Sequence, residues 1–172
     1  MDSAPGPDGV ESGIIADVES ALQVFDRYLS IVTASDRRRP GRLDRAGYIL
    51  LSQLESTTLA ISDLSEIMGL DVSTINRRTA SLMADRVIER IPDPAGGMAR
   101  HFRITSQGRR LLASEREANR LGLRQMLVGW RAQDLSELAR LLGQLNHSIE
   151  ASSGLQLRRA DPPPDITTPL PG

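Results

Sequence analysis

Apolar positions recur at helical spacing along most of the chain, broken once by two short strand-like runs. Over residues 14–33, Ile15, Val18, Leu22, Phe25, Leu29 and Val32 fall on one face and predict a first helix. The run Asp36-Arg37-Arg38-Arg39-Pro40-Gly41 ends it. A second helix is expected over 44–55, with Tyr48, Leu51 and Leu54 turned inward. Residues 58–61 read as a brief strand. Ser62 is placed to cap a third helix, whose apolar face holds Leu64, Ile67 and Met68. Gly69 suits a left-handed stop. Asp71 can cap a fourth helix over 72–85 that buries Val72, Ile75, Thr79 and Leu82. Runs 87–91 and 100–105 flank the turn-rich stretch from Pro92 to Met98 and predict a hairpin with a long flexible tip. A long helix follows over 106–131. A last one spans 135–151, with Asp134 as its cap and a stripe of Leu135, Leu138, Leu141, Leu142, Leu145 and Ile149.

The ends differ in kind. Residues 1–12 are rich in Gly, Pro, Ser and Asp, and residues 152–172 carry Pro162, Pro163 and Pro164. They read as a flexible N-terminal arm and a Pro-rich C-terminal tail around one domain over 13–151. Aromatics make up only 3% of the 172 residues against 40% apolar, so the core is aliphatic and mainly helical. No stretch is long and apolar enough for a membrane span, and no signal pattern opens the chain, so a cytoplasmic location is expected. Without cysteine, disulfides and thiolate metal sites are excluded.

Net charge is -1, but its distribution is uneven. Residues 71–110 hold eight arginines and four acids. All basic residues are arginine, which suits phosphate and guanine recognition, although a bias in codon usage accounts for the missing lysines more simply. A short helix, a tight turn, a polar helix and a hairpin in that order describe a winged helix-turn-helix. There the second helix enters the major groove and the hairpin reaches the adjacent backbone or minor groove. Ser73, Thr74, Asn76, Arg77 and Arg78 crowd the first two turns of that helix, and no carboxylate lies between Val72 and Ala84. Asn76 and Arg77 suit base edges, and Ser73 and Thr74 suit phosphates or bases. Free amides at the helix start would add phosphate donors.

Residues 43–112 resemble the central region of the MarR family (multiple antibiotic resistance regulators). The likeness is carried by Ser62-Asp63-Leu64-Ser65-Glu66-Ile67-Met68-Gly69-Leu70-Asp71, by Ser73-Thr74-Ile75-Asn76-Arg77, by Val87-Ile88-Glu89-Arg90 with Asp93-Pro94, and by Ile104-Thr105-Ser106-Gln107-Gly108-Arg109-Arg110-Leu111-Leu112. With the flanking helices it covers about 14–150. A PadR-like arrangement fits less well, because its winged module usually lacks so long a helix ahead of it. The resemblance implies a mainly α fold with a small β-hairpin wing and with N- and C-terminal dimerisation helices. It implies a homodimer that binds a pseudo-palindromic operator in double-stranded DNA. It also implies regulation of nearby genes, as a repressor, modulated by a small-molecule effector.

Position by position, Ser73, Thr74, Asn76 and Arg77 match the family's recognition-helix contacts, while Arg78 falls where an aliphatic residue is common. The family's wing-tip arginine is replaced by Gly96, Gly97 and Met98, with Arg100 the nearest substitute. Arg86 stands where glycine is frequent, so a left-handed backbone there would carry about 1 kcal/mol of strain. Tyr48 and Trp130 are the large amphipathic residues near the family's effector region, with ordinary packing as the competing reading. No cofactor, metal or catalytic site is expected. His101 and His147 are far in sequence from other soft ligands, and no nucleophile motif or phosphate loop occurs. The alternative function is a winged-helix protein-interaction module without specific DNA binding.

Overall fold

The computed structural model describes residues 7–36 and 43–154, in the order α1 (Pro7–Asp36), α2 (Arg45–Gln53), β1 (Leu59–Ala60), α3 (Ile61–Met68), α4 (Val72–Ala84), β2 (Ile88–Pro92), β3 (Arg100–Ile104), α5 (Ser106–Met126) and α6 (Ala132–Ser153). The chain divides into two units, Met1–Arg45 and Ala46–Gly172. The expectations for Arg37, Arg38 and Arg39, for the inward side chains of Leu29 and Val32, and for the tail beyond 154 lie outside the described residues.

In the first unit, α1 begins at Pro7, ahead of the expected residue 14. Residues 7–12 are therefore helical rather than part of a flexible arm. Proline at the first helical position has its φ already set and loses no intrahelical bond, a start signal that apolar periodicity overlooks. Ile15, Val18, Leu22 and Phe25 form a stripe that is exposed.

In the second unit the core is built where the sequence alternates or repeats apolar residues. Leu50 and Leu51 come from α2, and Leu54 directly follows it. Leu64 comes from α3, Ile75 and Leu82 from α4, Ile88, Phe102 and Ile104 from the sheet, and Leu112 from α5. The sheet is antiparallel in the order β1-β3-β2, so β1 adds a third strand to the hairpin. Leu59 pairs with Phe102, and Ile88 with Ile104. Alternation puts Phe102 and Ile104 inside while Glu89 and Arg103, directly paired, join across the outer face at 2.9 Å. Phe102 is fully buried, with Arg90 over its ring at 5.5 Å; burial of such a side chain contributes about 2–3 kcal/mol.

Several boundaries differ from expectation. Helix α3 starts at Ile61, so Ser62 lies inside it; the Asp63 carboxylate accepts from the Ala60 amide at 2.9 Å and does the capping. Gly69 ends α3 left-handed, at φ 60°, as expected. Val72, expected inside, is 48% exposed, because the buried face of α4 runs through Ile75, Thr79 and Leu82. Helix α5 stops at Met126, not 131, and Gly129 at φ 88° turns the chain before α6 starts at Ala132. Asp134 consequently sits in the first turn of α6 and pairs with Arg131 at 2.8 Å instead of capping the helix.

Arg86 has φ 59°, the left-handed conformation its position suggested. Its side chain is exposed, so the strain has no packing to offset it. Arg86→Gly is expected to raise stability by about 0.5–1 kcal/mol, the relieved strain less the added unfolded-state entropy. A higher urea midpoint at unchanged slope is the readout.

Candidate nucleic-acid interface

Helix α4 is amphipathic in a way that fixes which residues face out. Ile75, Thr79 and Leu82 are buried where α4 meets α3 and β2. Ser73, Asn76, Arg77 and Ala80 are exposed on the other side, and Thr74 and Arg78 are half-buried. The buried Thr79 hydroxyl donates to the Ile75 carbonyl at 2.9 Å, which settles a polar group that would otherwise cost the core.

The first turn of α4 is not bare. Asp71 is its N-cap, and its carboxylate accepts from the Thr74 amide at 2.9 Å. It also accepts from the Ser73 hydroxyl at 2.5 Å and the Thr74 hydroxyl at 2.7 Å. Arg77 donates to Thr74 Oγ1 at 3.2 Å. These hydroxyl bonds, and then the amide, hold the Asp71 carboxyl well below the usual carboxylate range. Three residues of the expected contact surface, Ser73, Thr74 and Arg77, are thus joined with Asp71 in one chain of hydrogen bonds. The expectation of a bare helix start is corrected in part: Asp71 takes the Thr74 amide, and with it the Ser73 and Thr74 hydroxyl hydrogens. The Asp-x-Ser-Thr spacing at 71–74 carried this signal.

The wing tip is short of charge. The Asp93 carboxylate accepts from the Ala95 amide at 2.8 Å, and Gly96 follows at φ 81°. A Cβ on Gly97 would fall 2.2 Å from the Asp93 carboxylate, which would have to swing aside for any larger residue. Met98 is wholly exposed. Arg100 is exposed at the start of β3, opposite Pro92, and His101 lies 3.8 Å from the Asp93 carboxylate. His147 is exposed on α6. Among the described residues no group of three or more histidines and acids could hold a metal ion, and no helix is long and apolar enough to cross a membrane.

Away from α4 the structure reveals an ion pair that apolar patterning did not show. Arg116 on α5 grips both Glu55 oxygens, at 2.7 and 2.5 Å, and Arg109 reaches the Glu55 carbonyl at 2.5 Å. The Arg116 hydrogen bonds lower the Glu55 pKa, against some desolvation. Tyr48, half-buried, adds to the Glu55 effect that raises the Arg116 pKa. Trp130 is half exposed between α5 and α6. A recess of about 320 Å³ is lined by Arg120, Leu123, Arg124, Leu127 and Leu135, and so by neither Tyr48 nor Trp130. Because the Glu55 pKa is lowered on folding, the pair's stabilisation is complete above its ordinary value of 4.5 and drains away as pH falls through the folded value. Glu55→Gln is expected to cost about 1 kcal/mol at pH 7, after allowance for partial exposure, and to flatten the acid limb of the stability profile. Urea titrations at pH 7 and pH 3 test both.

The fold and this outward helix define a winged helix-turn-helix transcription regulator. No family model matches the chain. It is 34% identical over 133 residues to the uncharacterized HTH-type transcriptional regulator YxaD of Bacillus subtilis (strain 168), covering 77% of this chain and 92% of that protein. Its fold is similar to that of a MarR family protein from Bacillus stearothermophilus (TM-score 0.69, 18% identity, 80% of this chain and 96% of that one). It is also similar to Streptococcus pneumoniae FabT, solved in complex with DNA (TM-score 0.62, 14% identity, 80% and 98%). The chain belongs to the MarR family of transcriptional regulators.

Proposed function

We propose that this chain is a sequence-specific, dimeric repressor whose grip on a pseudo-palindromic operator is modulated by a small-molecule effector. One observation carries the DNA reading: α4 turns Asn76 and Arg77 outward on a face without a carboxylate from Val72 to Ala84. Arg77 and Asn76 read base edges, Ser73 and Thr74 lie against the same groove, and Arg78 and Arg100 approach the flanking backbone. FabT in complex with DNA supports this use of the fold. Exposed apolar stripes on α1 and α6 support pairing of two copies, since monomers rarely leave such stripes in water. The effector reading rests on family resemblance, with Tyr48 and Trp130 as candidate contacts.

Selection of bound fragments from genomic DNA by the full chain tests the proposal. Enriched half-sites about one helical turn apart are expected, with affinity falling as salt rises. Repeating the selection with small aromatic and anionic acids tests the effector. Arg77→Ala is expected to weaken operator binding by about 1–3 kcal/mol, roughly ten- to a hundredfold, with the oligomer intact. Unchanged binding in a gel-shift titration would remove α4 from the groove. The wing tip, which has no arginine and exposes Met98, favours a second reading as a protein-interaction module; that reading predicts no enriched site and no salt-dependent binding.

A further inference from the structure

We propose that Asp71 is a positioning residue for base readout: it fixes the Ser73 and Thr74 hydroxyls as acceptors and, through Thr74, aims Arg77. The inference rests on the DNA-binding reading above and deepens it.

A hydroxyl has one hydrogen and two lone pairs. Ser73 spends its hydrogen on Asp71 Oδ1 at 2.5 Å, and Thr74 spends its own on Asp71 Oδ2 at 2.7 Å. Neither retains a donor for a phosphate oxygen or for guanine O6 and N7. Their free lone pairs match the exocyclic amino groups of adenine and cytosine in the major groove. One Thr74 lone pair is already taken by Arg77 Nη2 at 3.2 Å, so the guanidinium is held against the helix before DNA arrives. Holding a long side chain in advance lowers the ordering cost at binding. The carboxylate itself is exposed at the mouth of the helix, where a bare negative charge would only repel phosphates. Its three bonds to the first turn, from two hydroxyls and the Thr74 amide, give it a role that offsets this repulsion.

Asp71→Asn separates the two effects. Asparagine caps helices as well as aspartate, so α4 keeps its start. The amide nitrogen cannot accept from Thr74, and the charge is gone. Affinity is measured by fluorescence anisotropy on a selected operator and on a random duplex of the same length. The variant is expected to bind the random duplex as tightly as wild type or up to about threefold tighter, through loss of repulsion. It is expected to bind the operator about tenfold more weakly, with a relaxed amino-base preference in repeated selection. In an Arg77→Ala background the Asp71→Asn loss should shrink to less than half, because the two act through one chain. Thr74→Ser, which keeps the hydroxyl, should stay within about threefold of wild type on the operator.

Equal tightening on both duplexes would make Asp71 a mere repelling charge and overturn the inference. Equal weakening on both would reduce it to a helix cap, with the same result. A full Asp71→Asn loss persisting without Arg77 would break the proposed chain. A wild-type protein with no preferred site defeats the DNA-binding reading, and this inference with it.

Discussion

Gly108→Ala is expected to lower folding stability by about 2–3 kcal/mol, whereas Gly122→Ala on the same helix is expected to raise it by up to about 1 kcal/mol. The substitutions are identical and the surroundings opposite. A Cβ on Gly108 would lie 2.1 Å from the Val87 carbonyl oxygen and 2.8 Å from Ile104 Cγ1. The carbonyl is backbone and already accepts from the Thr105 amide at 3.0 Å, so it cannot swing aside without breaking that bond. The whole first turn of α5 must back away from β2. A Cβ on Gly122 meets nothing within 4 Å, leaving only the helical preference of alanine over glycine. Urea unfolding of both variants decides the matter. Equal shifts would mean that the close approach of α5 to the wing base is not what requires glycine.

Leu142→Asp is expected to raise the dissociation constant of the proposed dimer by a factor of about a hundred to a few thousand. Leu142 is 45% exposed and lies among Leu141, Leu145 and Ile149, all exposed on α6, which contributes no buried residue to its own protomer. In the proposed two-fold assembly this stripe meets its equivalent. An aspartate there loses the apolar contact and leaves a buried charge unpaired, at about 3–5 kcal/mol. Each 1.4 kcal/mol is tenfold, so micromolar protein should sediment as monomer or aggregate. Because α6 supplies no buried residue to the core of Leu50, Phe102 and Leu112, the winged module should keep its circular dichroism. A sedimentation profile still showing an intact dimer would place the interface elsewhere.

Much of this architecture was legible because its signals are local. The buried positions Ile75, Thr79 and Leu82 follow from helical spacing, Gly69 from its place after Met68, and Arg86 from a site where the family has glycine. What apolar spacing alone did not show depends on polar groups or on distant partners. Ser62 looked like the cap of α3 because the Asp63 side chain, reaching back to Ala60, leaves no trace in apolar spacing. The grip of Arg116 on Glu55 spans 61 positions and has no periodic signature. Helix α1 was read too short because a proline start carries no apolar residue. On α4 the outward residues Ser73, Asn76 and Arg77 follow from helical spacing, but the commitment of the Ser73 and Thr74 hydroxyls to Asp71 does not. The carboxylate two positions before Ser73 commits them, a signal carried by the Asp-x-Ser-Thr spacing and not by apolar periodicity.

The corner after α4 has a mechanical consequence. Three successive carbonyls, of Asp85, Arg86 and Val87, receive hydrogen bonds from the Gln107 side chain, the Thr105 hydroxyl and the Thr105 amide at 3.2, 2.8 and 3.0 Å. The end of α4 is thereby riveted to the root of a rod of 21 residues, about 31 Å long. Such a rod works as a crank. A swing of about 10° about its far end carries the root some 5 Å, more than the 3.4 Å rise of one base pair. In the proposed DNA complex, a tilt of α5 of that size would carry α4 by more than one base-pair step.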